Sequence, residues 1–170
     1  GRRTLRKLYI IFALFSLSYS NVPDYIPLDG LIAWYPFNGN ADDNGPNNYD
    51  AVVEGATLSE DRYANENSSY SFDGINDQIT NGYSIIDLAS DFTISIWMNS
   101  LSNTTNMQTL FNTIEHTGIS VNYNYYSDQK VRFLIGAGPD EGGWDAVNTG
   151  GGSNLNTNTW YNITLVKSGV

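Results

Sequence analysis

Residues 92–100 read Phe-Thr-Ile-Ser-Ile-Trp-Met-Asn-Ser, and this strict alternation is the strongest constraint on the fold. Side chains in an extended segment repeat every two residues. Phe92, Ile94, Ile96 and Met98 therefore share one face, and Thr93, Ser95, Trp97 and Asn99 share the other. A segment of this kind buries its apolar face against a second layer. Comparable runs recur at 31–37, 50–56, 69–73, 77–81, 108–115, 118–126, 130–137 and 160–167, each bounded by turn-forming residues. No stretch sustains a helical period, and 84–90 has room only for a single helical turn. The 21 asparagines and 16 glycines supply the many turns that short strands need. The pattern predicts an all-β sandwich, barrel or jelly roll. Trp34, Trp97 and Trp160 lie within or at the start of strands and are expected in its core.

The two ends read differently from this β-rich body. Arg2, Arg3, Arg6 and Lys7 precede an apolar run at 8–17, and Ser18 and Ser20 occupy the −3 and −1 positions of a cleavage site after Ser20. About ten apolar residues are too few to cross a bilayer but suit a secretory signal peptide, which places the mature chain outside the cell or at its surface. Residues 1–20 are thus read as the signal peptide, 21–29 with their prolines as a linker, and 30–170 as one domain. At the other end, the alternating run 160–167 leads into Ser168 and Gly169 as a turn would begin. An unpaired strand leaves open backbone donors and acceptors, so the domain is expected to be truncated, without its final strands.

Charge and cysteine content remove several functions. The formal charge is −10; past residue 20, four basic residues face 18 acidic ones, a net charge of −14. Such a surface repels nucleic acid and anionic lipid and suits divalent cations or neutral partners such as sugars. The absence of cysteine excludes disulfides, a thiolate nucleophile and a cysteine zinc site. No membrane span is expected in the mature chain.

After the first apolar run the sequence becomes rich in side-chain oxygens: Asn40, Asp42, Asp43, Asn44, Asn47, Asn48 and Asp50. Calcium takes six to eight oxygens from such groups. Residues 40–45 mimic the start of an EF-hand loop, but Ala51 stands where the bidentate glutamate belongs. The alternatives are a loop closed on calcium by distant ligands and an Asn/Gly turn that needs no ion. Asp42, Asp43 and Asn48 are the preferred ligands, with Asn40 and Asp50 behind them. Asp73 and Asp77 flank an Asp-Gly hairpin turn, where a structural role outweighs a second cation contact.

Trp144 lies in a glycine-rich stretch, 136–154, read as a loop. There it either stacks on a sugar ring, with Asp140, Asp145 and Asn148 near enough to bind hydroxyls, or folds back over the sheet. Tyr123, Tyr125 and Tyr126 form a second aromatic group, read as a platform or as plain strand surface. Glycosidases need two carboxylates facing one bond. The neighbours Glu60/Asp61 and Asp140/Glu141 point to opposite sides of an extended chain, and the single histidine, His116, has no evident serine partner. The chain is therefore not expected to be an enzyme.

Several ordered motifs resemble one family. They are the opening aromatic-Pro-Phe-Asn-Gly-Asn at 35–40, Gly-Ala-Thr-Leu at 55–58 with Asp61 and Arg62, and Ser-Phe-Asp-Gly at 71–74 with Asp77. The strand at 92–100 and the Trp-initiated strand and turn at 160–169 continue the series. Together they resemble laminin-G-like, concanavalin A-like lectin domains of bacterial secreted proteins, over residues 30–170. The resemblance implies a two-sheet antiparallel jelly roll with a carbohydrate-binding or adhesive role, a structural calcium, and glycans or extracellular proteins as partners. The alternatives are a structural or protein-binding module of a large surface protein, or a polysaccharide-degrading enzyme of the same architecture.

Overall fold

The computed structural model describes residues 22–101, 106–113, 118–124, 128–136, 144–147 and 154–169; the signal-peptide reading of residues 1–20 lies outside them. Among the described residues there are ten strands and no helix. They are β1 (Val52–Glu54), β2 (Thr57–Ser59), β3 (Ser69–Ser71), β4 (Gln78–Thr80), β5 (Phe92–Asn99), β6 (Gln108–Asn112), β7 (Ile119–Tyr123), β8 (Val131–Gly136), β9 (Trp144–Val147) and β10 (Trp160–Lys167). All pairings are antiparallel: β1 with β4, β2 with β3, β5 with β10, and β6-β7-β8-β9 as one four-stranded sheet.

The longest ladder is β5 with β10, running from Trp160 opposite Asn99 to Lys167 opposite Phe92. The alternation read from 92–100 holds: Phe92, Ile94 and Ile96 are half-buried, Met98 is buried, and Thr93, Ser95 and Trp97 are exposed. β10 alternates in step, with Leu165 buried and Asn162, Thr164 and Val166 exposed.

Across from this pair stands β7, the central strand of the described core, buried along its length. Ile119, Val121, Phe133 and Leu165 form the core cluster, and Phe92, Ile94, Leu110, Phe111, Val131 and Ile163 pack against it. The inner face of β5-β10 thus meets the inner face of β6-β7-β8, the arrangement of a two-layer sandwich. A register shift between Thr109 and Phe111 marks a bulge in β6. It lets the consecutive residues Leu110 and Phe111 both reach the core.

The opposite face of β7 is polar yet closed to solvent, and its groups satisfy one another. The Asn122 amide donates to Ser120 Oγ (2.8 Å), and Thr109 Oγ1 donates to Asn122 Oδ1 (3.0 Å). Arg132, opposite Asn122, is committed to Asp128 through Nη1 (2.9 Å) and Nη2 (2.6 Å). The hydrogen bonds and charge of Arg132 hold the Asp128 carboxyl below the ordinary aspartate range, against a smaller upward push from desolvation.

Five expectations need correction. Residues 31–37 are not a strand: Pro36 has no amide hydrogen to donate and Phe37 sits at φ +56°. The backbone groups of Trp34 are taken instead by the following bend. Residues 144–147, expected in a loop, form β9 against β8, and β2 was absent from the expected strands. Trp97, expected in the core, is 47% exposed, because it shares parity with Thr93 and Ser95. Residues 84–90 form no helical turn; a turn held by Asp87, which accepts from the Ala89 amide (2.9 Å) and the Ser90 hydroxyl (2.9 Å), occupies their end.

Ile119 has no solvent exposure at the centre of the cluster. Replacing it with alanine is expected to lower unfolding free energy by about 2–5 kcal/mol through lost burial and a residual cavity, measured by urea denaturation.

Candidate functional site

The bend after residue 37 closes around one carboxylate. Asp43 is only 4% exposed. Its Oδ1 accepts from the amides of Trp34 (2.7 Å) and Gly45 (2.8 Å), and its Oδ2 accepts from the amide of Tyr49 (3.0 Å). Its own amide donates to Asp50 Oδ1 (2.9 Å). Backbone bonds from Asn44 to the Trp34 carbonyl and from Ala51 to the Ala41 carbonyl complete the closure. Gly45 is required by space: a Cβ there would lie 2.8 Å from Asp43 Oδ1 and 3.1 Å from the Trp34 nitrogen. Asn48 adopts φ +54°, a conformation asparagine tolerates better than most residues. The Asn47 amide reaches the Ile32 carbonyl (2.8 Å).

The structure brings four of the five candidate ligands together in two pairs, Asn40 with Asp42 and Asp43 with Asp50. Asp42 and Asp43 are neighbours in the chain, one exposed and one buried. Asn40 and Asp42 bond to each other through Asn40 Nδ2 and Asp42 Oδ2 (2.5 Å). Asp50 faces the Asp43 amide, and Asn48 is exposed. Among the described residues there is no group of three or more acidic or histidine side chains placed to hold a metal. Backbone amides thus supply positive character around the Asp43 carboxylate.

The bend is joined to β4's flank through Tyr35, whose hydroxyl donates to the Tyr49 carbonyl (2.6 Å) and accepts from Asn81 Nδ2 (3.1 Å). Burial pushes the Tyr35 hydroxyl above the ordinary tyrosine range, against the lowering effect of the Asn81 bond. The Asp73–Asp77 turn is likewise self-contained. Asp77 Oδ2 accepts from the Asp73 amide (2.8 Å), and Asp73 Oδ1 accepts from Ile75 (2.8 Å).

The face with spare binding capacity is the outer side of β5-β10. Trp97 lies directly opposite Asn162, Ser95 opposite Thr164, and Thr93 opposite Val166. Asn162 Nδ2 donates to Ser95 Oγ (3.0 Å) and Thr164 Oγ1 donates to Asn162 Oδ1 (2.8 Å), so the polar groups form one exposed row beside the indole. A tight loop brings in two further side chains. Asp61 Oδ1 accepts from the amides of Tyr63 (2.8 Å) and Asn65 (2.9 Å), and Oδ2 accepts from Asn65 Nδ2 (3.1 Å). This presents Arg62, whose guanidinium carbon lies 4.5 Å from the Trp97 ring centre and 4.4 Å from that of Tyr63. Tyr63 is itself 70% exposed.

Trp144 and Asp145 sit in β9, opposite Gly136 and Ile135 of β8. Asn148 and Tyr125 lie outside the described residues, as do Tyr126, Asp140 and His116. Glu60 and Glu66 line a shallow depression with Leu58, Ser59 and Asn67. The platform around Trp97 was missed because tryptophan was assigned to the core by type; its parity with Thr93 and Ser95 carried the correct signal.

Two outcomes follow from these geometries. Asp43→Ala orphans three amides and is expected to cost about 3 kcal/mol in chemical denaturation, while Asp42→Ala stays within about 0.5 kcal/mol. Desolvation, the largest single influence on Asp61, pushes its carboxyl up, but the Asn65 and Tyr63 hydrogen bonds and the Arg62 charge together bring it below the ordinary aspartate range. A depressed carboxyl favours the folded loop above its unfolded pKa, and that preference fades as pH falls through the lower folded value. Carboxyl NMR titration should therefore place the Asp61 midpoint below the ordinary aspartate value, with the Asn65 amide shift following the same curve.

Comparison with known proteins agrees with this architecture. No curated protein and no solved structure matches the chain. A laminin-G family model, described as the concanavalin A-like lectin/glucanases superfamily, matches residues 72–169. The match takes in both strands of the β5-β10 platform and begins beyond the acidic bend. With its all-β, antiparallel strands and two-layer core, this chain belongs to the concanavalin A-like lectin/glucanase superfamily.

Proposed function

We infer that the chain is a non-catalytic carbohydrate-binding module acting outside the cell or at its surface. The observation that carries this reading is Trp97, exposed on a rigid strand and bordered by the hydroxyl and amide row of Ser95, Asn162 and Thr164. An indole offers a flat apolar surface to the C–H face of a pyranose, while neighbouring hydroxyls and amides exchange hydrogen bonds with sugar hydroxyls. Strands fix such groups more firmly than loops do, which limits the ordering cost of binding. The superfamily contains both lectins and glucanases by its description, and the binding reading is favoured here by the form of this platform. The extracellular location rests on the basic and apolar pattern of residues 1–20.

The test is affinity electrophoresis of the full chain through gels containing soluble polysaccharides, beside Trp97→Ala and, as a control, Tyr83→Ala. Retardation by at least one polysaccharide is expected for the unmodified chain and for Tyr83→Ala. Trp97→Ala should weaken it about tenfold, equivalent to about 1.4 kcal/mol. Uniform mobility across all gels would transfer the platform to a protein partner.

A further inference from the structure

We propose that Arg62 makes the Trp97 platform selective for carboxylated sugars, that is, oligosaccharides containing uronic acid residues. This rests on the carbohydrate-binding reading and names the ligand class of the same face. Past residue 20 the chain has only four basic residues, Arg62, Lys130, Arg132 and Lys167. Arg132 is committed to Asp128, and Lys167 Nζ donates to the Ser90 carbonyl (3.2 Å). Arg62 instead lies against the rings of Trp97 and Tyr63, and forms no hydrogen bond or ion pair with another described residue. A guanidinium that contacts two rings and has no ion pair among the described residues still offers N–H donors, and its planar fork matches the two oxygens of a carboxylate.

Placement strengthens the argument. The carboxylate nearest in sequence, Asp61, is engaged by the Tyr63 and Asn65 amides and the Asn65 side chain, which also fixes the loop that delivers Arg62. The charge therefore sits over the Trp97 and Tyr63 rings, where a sugar docked beside the indole along the Ser95, Asn162 and Thr164 row would bring a ring carboxylate within reach. Past residue 20 the net charge is −14, which opposes anions in general, so favourable capture of one demands the sugar contact and the guanidinium together. A neutral sugar gains the first contact alone; a sulfated sugar carries its charge on a tetrahedral ester group and not on a planar carboxylate bonded to a ring carbon.

Isothermal titration of the full chain in calcium-free, low-salt buffer tests this. The probes are an oligogalacturonate, a galactan oligosaccharide of equal length, and a sulfated galactan oligosaccharide. The oligogalacturonate is expected to bind about tenfold more tightly than the neutral sugar, an advantage that shrinks as salt rises. Arg62→Ala should abolish the advantage, read as the ratio of acidic to neutral affinity within that variant, and Arg62→Lys should retain only part of it. Arg62 is exposed, so both variants are expected to fold, as confirmed by unchanged melting. Equal affinity for the acidic and neutral probes, a preference for the sulfated probe, or an unchanged ratio in Arg62→Ala overturns the proposal while leaving carbohydrate binding intact. No binding of any probe or polysaccharide overturns both.

Discussion

The ladder between β5 and β10 holds the described molecule to its purpose. Eight residue pairs fix the register from Trp160–Asn99 to Lys167–Phe92. A slip by one residue would exchange every side chain between faces, sending Ile94 and Leu165 to water and Trp97 inward. The core therefore enforces the surface: burial of Phe92, Ile94, Ile163 and Leu165 against β7 obliges Ser95, Trp97, Asn162 and Thr164 to face outward together. Stability and recognition are two sides of one pleated pair.

The acidic bend shows a different economy of charge. An oxygen-rich segment suggests a cation when only composition is considered, yet Asp43 meets three amides of its own backbone at 2.7–3.0 Å. The same device recurs at Asp61, Asp73 and Asp87, each accepting from amides two residues onward. A strongly acidic sequence thus uses four of its carboxylates as turn locks, each held by peptide N–H groups. This helps a domain without disulfides and with few lysines and arginines to order its connections.

Legibility in the sequence followed the range of the forces involved. Periodic segments such as 92–100 and 160–167 were readable because alternation and burial act along one strand. The strands β2 and β9 were not, since each is only three or four residues long and the local composition favours turns. Residues 31–37 looked like a strand by hydrophobicity, but the Asp43 carboxylate claimed the Trp34 amide, a contact nine positions away. The approach of Arg62 to Trp97 spans 35 positions and leaves no trace in either segment alone. Candidate ligands were visible by chemical type; which of them would meet was decided by tertiary packing.

The irregularity in β6 carries one more consequence. β6 lies at one border of the four-stranded sheet, and the shift between Thr109 and Phe111 interrupts its even sequence of donors and acceptors. A stray strand arriving at that border finds no continuous template to zip against. The kink that lets Leu110 and Phe111 both point inward thereby also makes this border a poor template for edge-to-edge pairing, a hazard for any β-rich protein at high local concentration.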